Sequence, residues 1–266
     1  MMFLKISLPI LLICMWAAPA SAVLHWQPAP SSKDNMQHQR MAHKSFILVD
    51  GQGAYTHLIH PDLKKDPLLD TEQHFAVKPT GKNNYHALIA QRTTSQGTET
   101  AVRYPYFHGR PTGFSPSKLT DHAKFDFEII PMPLAREHWK YTANQEASFQ
   151  LRFKGKPLAK QSIQVTTSQG TAFDLKTDSK GMLSFIIPDD FSEVKVGQRK
   201  NPKIEFLLHA QTTQNNHHYQ SSFSSFYVVD PNHWRSLPWG FVALFFGMMI
   251  GLLIHFKYRN IKKGKR

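Results

Sequence analysis

"ASFQLRFKGKPLA", residues 147–159, alternates apolar Ala147, Phe149, Leu151 and Phe153 with polar Ser148, Gln150, Arg152 and Lys154 before a Gly155-Lys156-Pro157 turn. A period of two sends the two sets to opposite sides of an extended chain, so one face is core and the other meets water. The pattern continues through "SIQVTT", "TAFDLKTDSKGMLSFIIPDD", "KIEFLLHAQT" and "YQSSFSSFYVV" at the spacing of a seven-strand β-sandwich. Asp178-Ser179-Lys180-Gly181 reads as a hairpin turn, and Pro188 stops a strand. Upstream of this region, "SFILV" before Asp50-Gly51, "HFAV" before Pro79-Thr80-Gly81, "YHALIAQ", a "SQGTE" turn and "AVRYPYF" are again strand-length runs cut by turn residues. No run between 45 and 230 sustains a helical period, and one short helical turn is expected in "FSPSKLTDHAKF", residues 114–125. The expected fold is all-β, with a β-rich domain at 45–124 followed by an immunoglobulin-like sandwich at 125–232.

The two ends read differently. Residues 1–22, "MMFLKISLPILLICMWAAPASA", combine Lys5, a short apolar run and a small-residue Ala20-Ser21-Ala22 end, the layout of a secretory signal peptide cleaved after Ala22. The one cysteine, Cys14, would leave with it, so the mature chain would hold neither a disulfide nor a thiolate ligand. Residues 237–256, "LPWGFVALFFGMMIGLLIHF", contain no Asp, Glu, Lys or Arg. As a helix they would span about 30 Å, the thickness of a bilayer core. Trp234 and Trp239 stand where an aromatic belt belongs, and the basic tail 257–266 carries Lys257, Arg259, Lys262, Lys263, Lys265 and Arg266. This predicts a single-pass type I protein of the inner membrane, its bulk in the periplasm and its C-terminus in the cytoplasm. Gly247 and Gly251 form a GxxxG pair through which two such helices could dimerise. Of the formal charge of +13, Lys5 accounts for one and the tail for six, leaving +6 on the exported part, so no nucleic-acid partner is implied.

"FKGKPLAKQSIQV", residues 153–165, together with "TDSKGMLSFIIPDD", residues 177–190, resembles the C-terminal immunoglobulin-like module of a family of exported proteins of unknown function. Some members look like periplasmic accessory components of nickel and cobalt uptake systems. The resemblance covers residues 125–230 and extends to the "HKSFILV" and "YHALIAQ" strands. It implies the sandwich fold, a nickel or cobalt ligand, and a histidine near the mature N-terminus, where this chain has His25. The chain departs from the family's pattern in its C-terminal membrane anchor, which does not suit a freely diffusing carrier.

Fourteen of the fifteen histidines fall between His25 and His233. Cleavage after Ala22 would give a mature start of Val23-Leu24-His25. Its amine, two deprotonated amides and imidazole can close chelate rings around square-planar Cu(II) or Ni(II). The polar, proline-bearing segment 23–44 reads as a flexible arm, and it repeats Met-x-His twice, Met36 with His38 and Met41 with His43. Thioether with imidazole favours copper, especially Cu(I). The other reading of this arm is a soluble linker. "AYTHLIHP", residues 54–61, spaces His57 and His60 three apart, but the Gly51-Gln52-Gly53 turn and Pro61 leave room only for a short strand. There the two face opposite ways, and each could at most complete a site singly.

The loop "YFHGRPTGFSPSKL", residues 106–119, is either a recognition loop with Phe107, His108, Arg110 and Phe114 in its contact set or a rigid connection between the domains. No G-x-S-x-G elbow, H-E-x-x-H, Walker loop or dinucleotide fingerprint occurs, so no enzyme is expected. Two functions are expected from these signals. One is a membrane-anchored accessory protein that binds Ni(II), Co(II) or copper and passes the ion to a transporter subunit. The alternative is a metal-independent envelope scaffold or interaction module.

Overall fold

The computed structural model describes residues 23–30, 43–68, 74–134 and 140–263. The first half contains β1 (His25–Pro28), β2 (Lys44–Val49), β3 (Tyr55–Ile59), β4 (Lys65–Pro67) and β5 (His74–Val77). It continues with β6 (Lys82–Tyr85), β7 (Ala87–Thr93), β8 (Gly97–Arg103), β9 (Tyr106–Phe107), β10 (Arg110–Pro111) and the one-turn helix α1 (Ser117–Asp121). The second half contains β11 (Phe127–Pro131), β12 (Tyr141–Thr142), β13 (Glu146–Phe153), β14 (Lys156–Pro157) and β15 (Ser162–Thr167). Then follow β16 (Ala172–Lys176), β17 (Met182–Ile186), β18 (Ile204–Gln214), β19 (His217–Val228) and the long helix α2 (Leu237–Lys263). The all-β reading holds, and the runs expected as strands at residues 45–49, 74–77, 85–91 and 147–153 correspond to β2, β5, β7 and β13, with β7 beginning at Ala87 and ending at Thr93.

The second half is an immunoglobulin-like sandwich. β11, β13 and β17 form one sheet, and β16-β15-β18-β19 form the facing part of the other. The alternation that opens the sequence explains it: Ala147, Phe149 and Leu151 are buried, while Ser148, Gln150 and Arg152 stay half-exposed. The Phe149 ring lies 5.9 Å from Phe185 and 5.1 Å from Phe223, so its side of β13 is sealed by both sheets. Lys154 (φ 49°) and Gly155 (φ 75°) turn the chain into β14 through the left-handed region, which glycine adopts at no steric cost.

The first half shares a sheet with the sandwich. β8 runs parallel to β19, from Gly97 opposite His218 to Arg103 opposite Ser224, so one nine-stranded sheet continues as β19-β8-β7-β3-β4. The reason is an open edge: β12 occupies that side of β19 only at Tyr227 and Val228, and the rest of its backbone groups need partners. Alternate residues of the added strands then serve two cores. Ile59, Ala87, Ile89 and Val102 join the sandwich core, whereas Leu58, Leu88, Ala90 and Ala101 pack against Leu24, Trp26, Phe46, Leu48, Phe75 and Val77 of the small sheet β1-β2-β5.

The expected flexible arm is corrected over its first residues. β1 pairs antiparallel with β2, His25 opposite Val49 and Pro28 opposite Phe46. Trp26 has no exposed surface and meets Phe75 edge-on at 5.0 Å. Ser222 Oγ of β19 donates to the Leu24 carbonyl. Two apolar side chains, Leu24 and Trp26, lie one period apart in a stretch whose composition otherwise reads as linker, and burying them outweighs that composition.

α2 is the one helix among the described residues long and apolar enough to cross a membrane, over Pro238–Tyr258, and none of that stretch is buried against the protein. Ahead of it, Pro231–His233 form a 3-10 turn capped by Asp230, whose carboxylate accepts from Asn232 N–H. His233 Nε2 lies 2.8 Å from Asp189 Oδ2, which also accepts from Asn144 Nδ2 at 2.9 Å. The turn ahead of α2 is thus tied to the segment that follows β17.

Candidate functional site

At the end of the first half that faces α2, three loops meet: 60–64, 78–81 and 104–118. Their residues come from distant turns, and what brings them together is the pairing of β3 with β7 and of β7 with β8. His86, fully buried between β6 and β7, donates its Nδ1–H to the Asn84 carbonyl at 3.1 Å, and in the neutral ring its Nε2 accepts from the Thr80 hydroxyl at 2.7 Å. Its ring lies 5.3 Å from that of His60 and 5.0 Å, edge-on, from Phe107. Burial pushes the His86 imidazole down to about 4, against the pull of the Asn84 carbonyl, and the neighbouring His60 and Lys82 reinforce the fall. His60 Nε2 is 2.7 Å from Asp66 Oδ2, a close polar contact without the alignment of a hydrogen bond. Lys82 Nζ binds Asp62 Oδ2 at 2.5 Å, which, opposed by burial, holds that carboxyl below its ordinary range.

Above this cluster the connecting loop is clamped. Asn84 Nδ2 donates to Thr112 Oγ1 at 3.1 Å and to the Phe114 carbonyl at 2.8 Å, while its Oδ1 accepts from Tyr85 N–H. Arg110 N–H donates to the Gly81 carbonyl, and a Cβ on Gly109 would stand 2.2 Å from that same oxygen, so the two chain segments touch only because residue 109 is glycine. What the clamp presents is uneven. Phe114 is 41% exposed with the Lys118 ammonium 4.1 Å over its ring, and His108 and Arg110 are exposed. Phe107 is corrected: at 2% exposure it belongs to the second core, under His86 and the Lys44 ammonium, because its strand β9 turns that side chain inward.

Among the described residues the expected metal ligands are not brought together. His57 sits half-buried within β3, and His60 lies just beyond the strand end with Asp66 and His86. His25 Nδ1 bonds the Val23 carbonyl at 2.7 Å, and burial lowers its pKa. The chelate expected at Val23 and His25 is incompatible with this strand. Ala29 N–H donates to the Ser45 carbonyl, and by the period of two the His25 amide points to β2 as well, so it is not free to bind an ion. His43 is exposed just ahead of β2. Met36, His38 and Met41 lie outside the described residues. Among the described residues no group of three or more His, Cys, Asp or Glu could hold an ion.

Sequence reasoning missed the His60–His86 contact. The signal available was weak: two histidines at the ends of strands β3 and β7, which pair with Ile59 opposite Ala87.

No protein-family model matches the chain, and no curated protein matches it by sequence. Among solved structures it overlaps a two-domain fibronectin type III segment of chicken tenascin at 9% identity, covering 76% of this chain and 95% of that one, with a TM-score of 0.23. It overlaps a Ca2+-stabilized adhesin that helps an Antarctic bacterium reach out and bind ice at 9% identity, 79% of this chain and 49% of that one, TM-score 0.26. The D0–D1 domain of intimin overlaps at 9% identity, 70% of this chain and 91% of that one, TM-score 0.24. Overlaps this loose carry no argument, and the sandwich is read from its own strand order. The nickel and cobalt resemblance finds no counterpart among them.

Proposed function

We propose that the chain is a membrane-anchored, metal-independent interaction module of the cell envelope, with α2 in the inner membrane, the β part in the periplasm and the basic tail in the cytoplasm. The observation that carries this reading is the 104–118 loop, clamped from beneath by Asn84 and Gly81 while it exposes Phe114 and Arg110. A preordered loop loses little conformational freedom on association, and aromatic and arginine side chains concentrate binding energy at protein interfaces. The partner is expected to be a protein.

A photo-crosslinking amino acid at position 114 of the full chain, expressed in intact cells, tests it. A discrete adduct that weakens in an Arg110→Ala background and does not form from position 156, at the other end of the sandwich, is the expected result. No adduct, or the same adduct from both positions, counts against the proposal. Titration of the full chain with Ni(II), Co(II), Cu(II) and Cu(I) separates it from the ion-carrier reading. Micromolar binding that disappears when Met36, His38, Met41 and His43 are replaced would favour that reading instead.

A further inference from the structure

The end of the central sheet next to α2 carries a cationic group that the loop described above does not use. Tyr141 of β12 and Ile204 of β18 lie opposite Tyr227 on the two sides of β19. The residues just ahead of these strand starts, Lys140 and Lys203, therefore flank β19 within two residues of its last position, Val228. By register Lys140 falls beside Phe226 and Lys203 beside Val228, so both share the face of Phe226. The Lys203 ammonium stands 4.3 Å over the Phe226 ring, and Phe226 is half-exposed. Behind them Lys44 reaches the Tyr106 carbonyl at 2.5 Å.

Among the described residues no carboxylate forms a salt bridge with Lys44, Lys140 or Lys203. At this end of the face Glu205 is held by Arg103 through two contacts of 2.6 and 3.1 Å, and Asp189 is held by His233 and Asn144. The lysines also feel one another. Burial lowers Lys203, with Lys140 and Arg103 adding to the fall and Glu205 opposing it, and burial lowers Lys44 to about 8, with Lys203 and Arg103 adding to it. Three ammonium groups and a half-exposed phenyl ring sit at the rim that the His233–Asp189 tie keeps next to the start of a membrane-spanning helix.

We infer that this rim, Lys140 and Lys203 around Phe226 with Lys44 behind, binds the phosphate-bearing headgroups of anionic lipids and so fixes how the β part stands on the bilayer. Lysines within a Debye length of an anionic surface are attracted to it, and the attraction is screened by salt. The inference needs α2 to cross a membrane but does not depend on the partner loop.

The full chain is reconstituted in vesicles of neutral phosphatidylcholine or of phosphatidylcholine with phosphatidylglycerol. A fluorophore on Gln164→Cys, on the same sheet face, reports transfer to a headgroup-labelled lipid. Transfer is expected to be higher in the anionic vesicles, with the difference lost in Lys140→Gln/Lys203→Gln and in high salt. It should be kept in Lys154→Gln/Lys160→Gln, which removes the same charge at the far end. Thermal melts of each variant in neutral vesicles show that the fold is kept. Equal transfer in the two lipids, or a difference that survives the rim variant, overturns the inference. A rise in melting temperature with inorganic phosphate in neutral vesicles, without any lipid dependence, reassigns the rim to free phosphate and also overturns it.

Discussion

His86 is the residue whose environment departs most from water among the histidines of the loop cluster. It is neutral at pH 7 in the folded chain, packed against Phe107 and His60, and its folded value of about 4 lies below the ordinary 6.5. Between these two values the unfolded chain binds a proton that the folded chain refuses, so stability falls as the pH drops from about 6.5 to about 4. The loss from this group reaches about 3 kcal/mol below pH 4, with about 2 kcal/mol of it gone by pH 5. Urea denaturation at pH 7 and pH 5 measures it directly. In His86→Gln the difference between the two pH values should shrink by about that amount, although the variant is less stable at both.

Strand β1 and the Asn84 clamp make their own predictions at the level of elements. If residues 25–28 were a loose arm, Trp26→Ala would be silent. In a strand that buries Trp26 completely against Phe75, the substitution should cost about 3–5 kcal/mol, read as a lowered urea midpoint with an unchanged slope. Asn84→Ala removes both donors that hold the Thr112–Phe114 segment and should cost about 1–2 kcal/mol. Its more telling effect is on the loop: amide exchange over residues 108–114 should quicken and the crosslink from position 114 should weaken. In α2, the Gly247 and Gly251 positions face open space, so a second helix could approach there. Replacing both with leucine should abolish any helix-driven dimer in a membrane association assay, and an unchanged signal would rule out that stripe.

For the whole molecule, Arg103 is where the two halves meet. Its guanidinium, almost fully buried, pairs with Glu205 of β18, reaches Ser224 of β19 and lies 5.9 Å from the Phe46 ring of the small sheet. Glu205 is the more exposed partner, so removing it strands a buried cation whereas removing Arg103 leaves an acid that water can reach. Glu205→Leu alone should therefore destabilise by about 3–5 kcal/mol and more than Arg103→Met alone, while the double variant recovers most of the loss. Because β8 and β19 share one sheet, Trp26 fluorescence and far-ultraviolet circular dichroism should report one coincident transition. Two separated transitions would mean that the halves fold as independent domains.

Local chemistry made the strands, the turns and the anchor readable in advance. Residues 147–153 alternate because one side of β13 must be apolar, Gly155 follows Lys154 because the turn needs a positive φ, and the uncharged run 237–256 gives a helix long and apolar enough to cross a bilayer. The short strand around His57 was legible for the same reason, as was the one-turn helix after Phe114. What remained hidden depends on partners far along the chain. Arg103 meets Glu205 across 102 residues, Ser222 binds the Leu24 carbonyl across 198, and His60 meets His86 only because β3 lies beside β7. A period of two tells which side of a strand is dry, but hydrogen-bonding groups on a strand edge accept any neighbour. Local period and composition therefore define the elements and the long apolar helix, whereas long-range pairing decides that β8 completes the edge of β19, that Leu24 and Trp26 are core, and that Phe107 turns inward while Phe114 faces out.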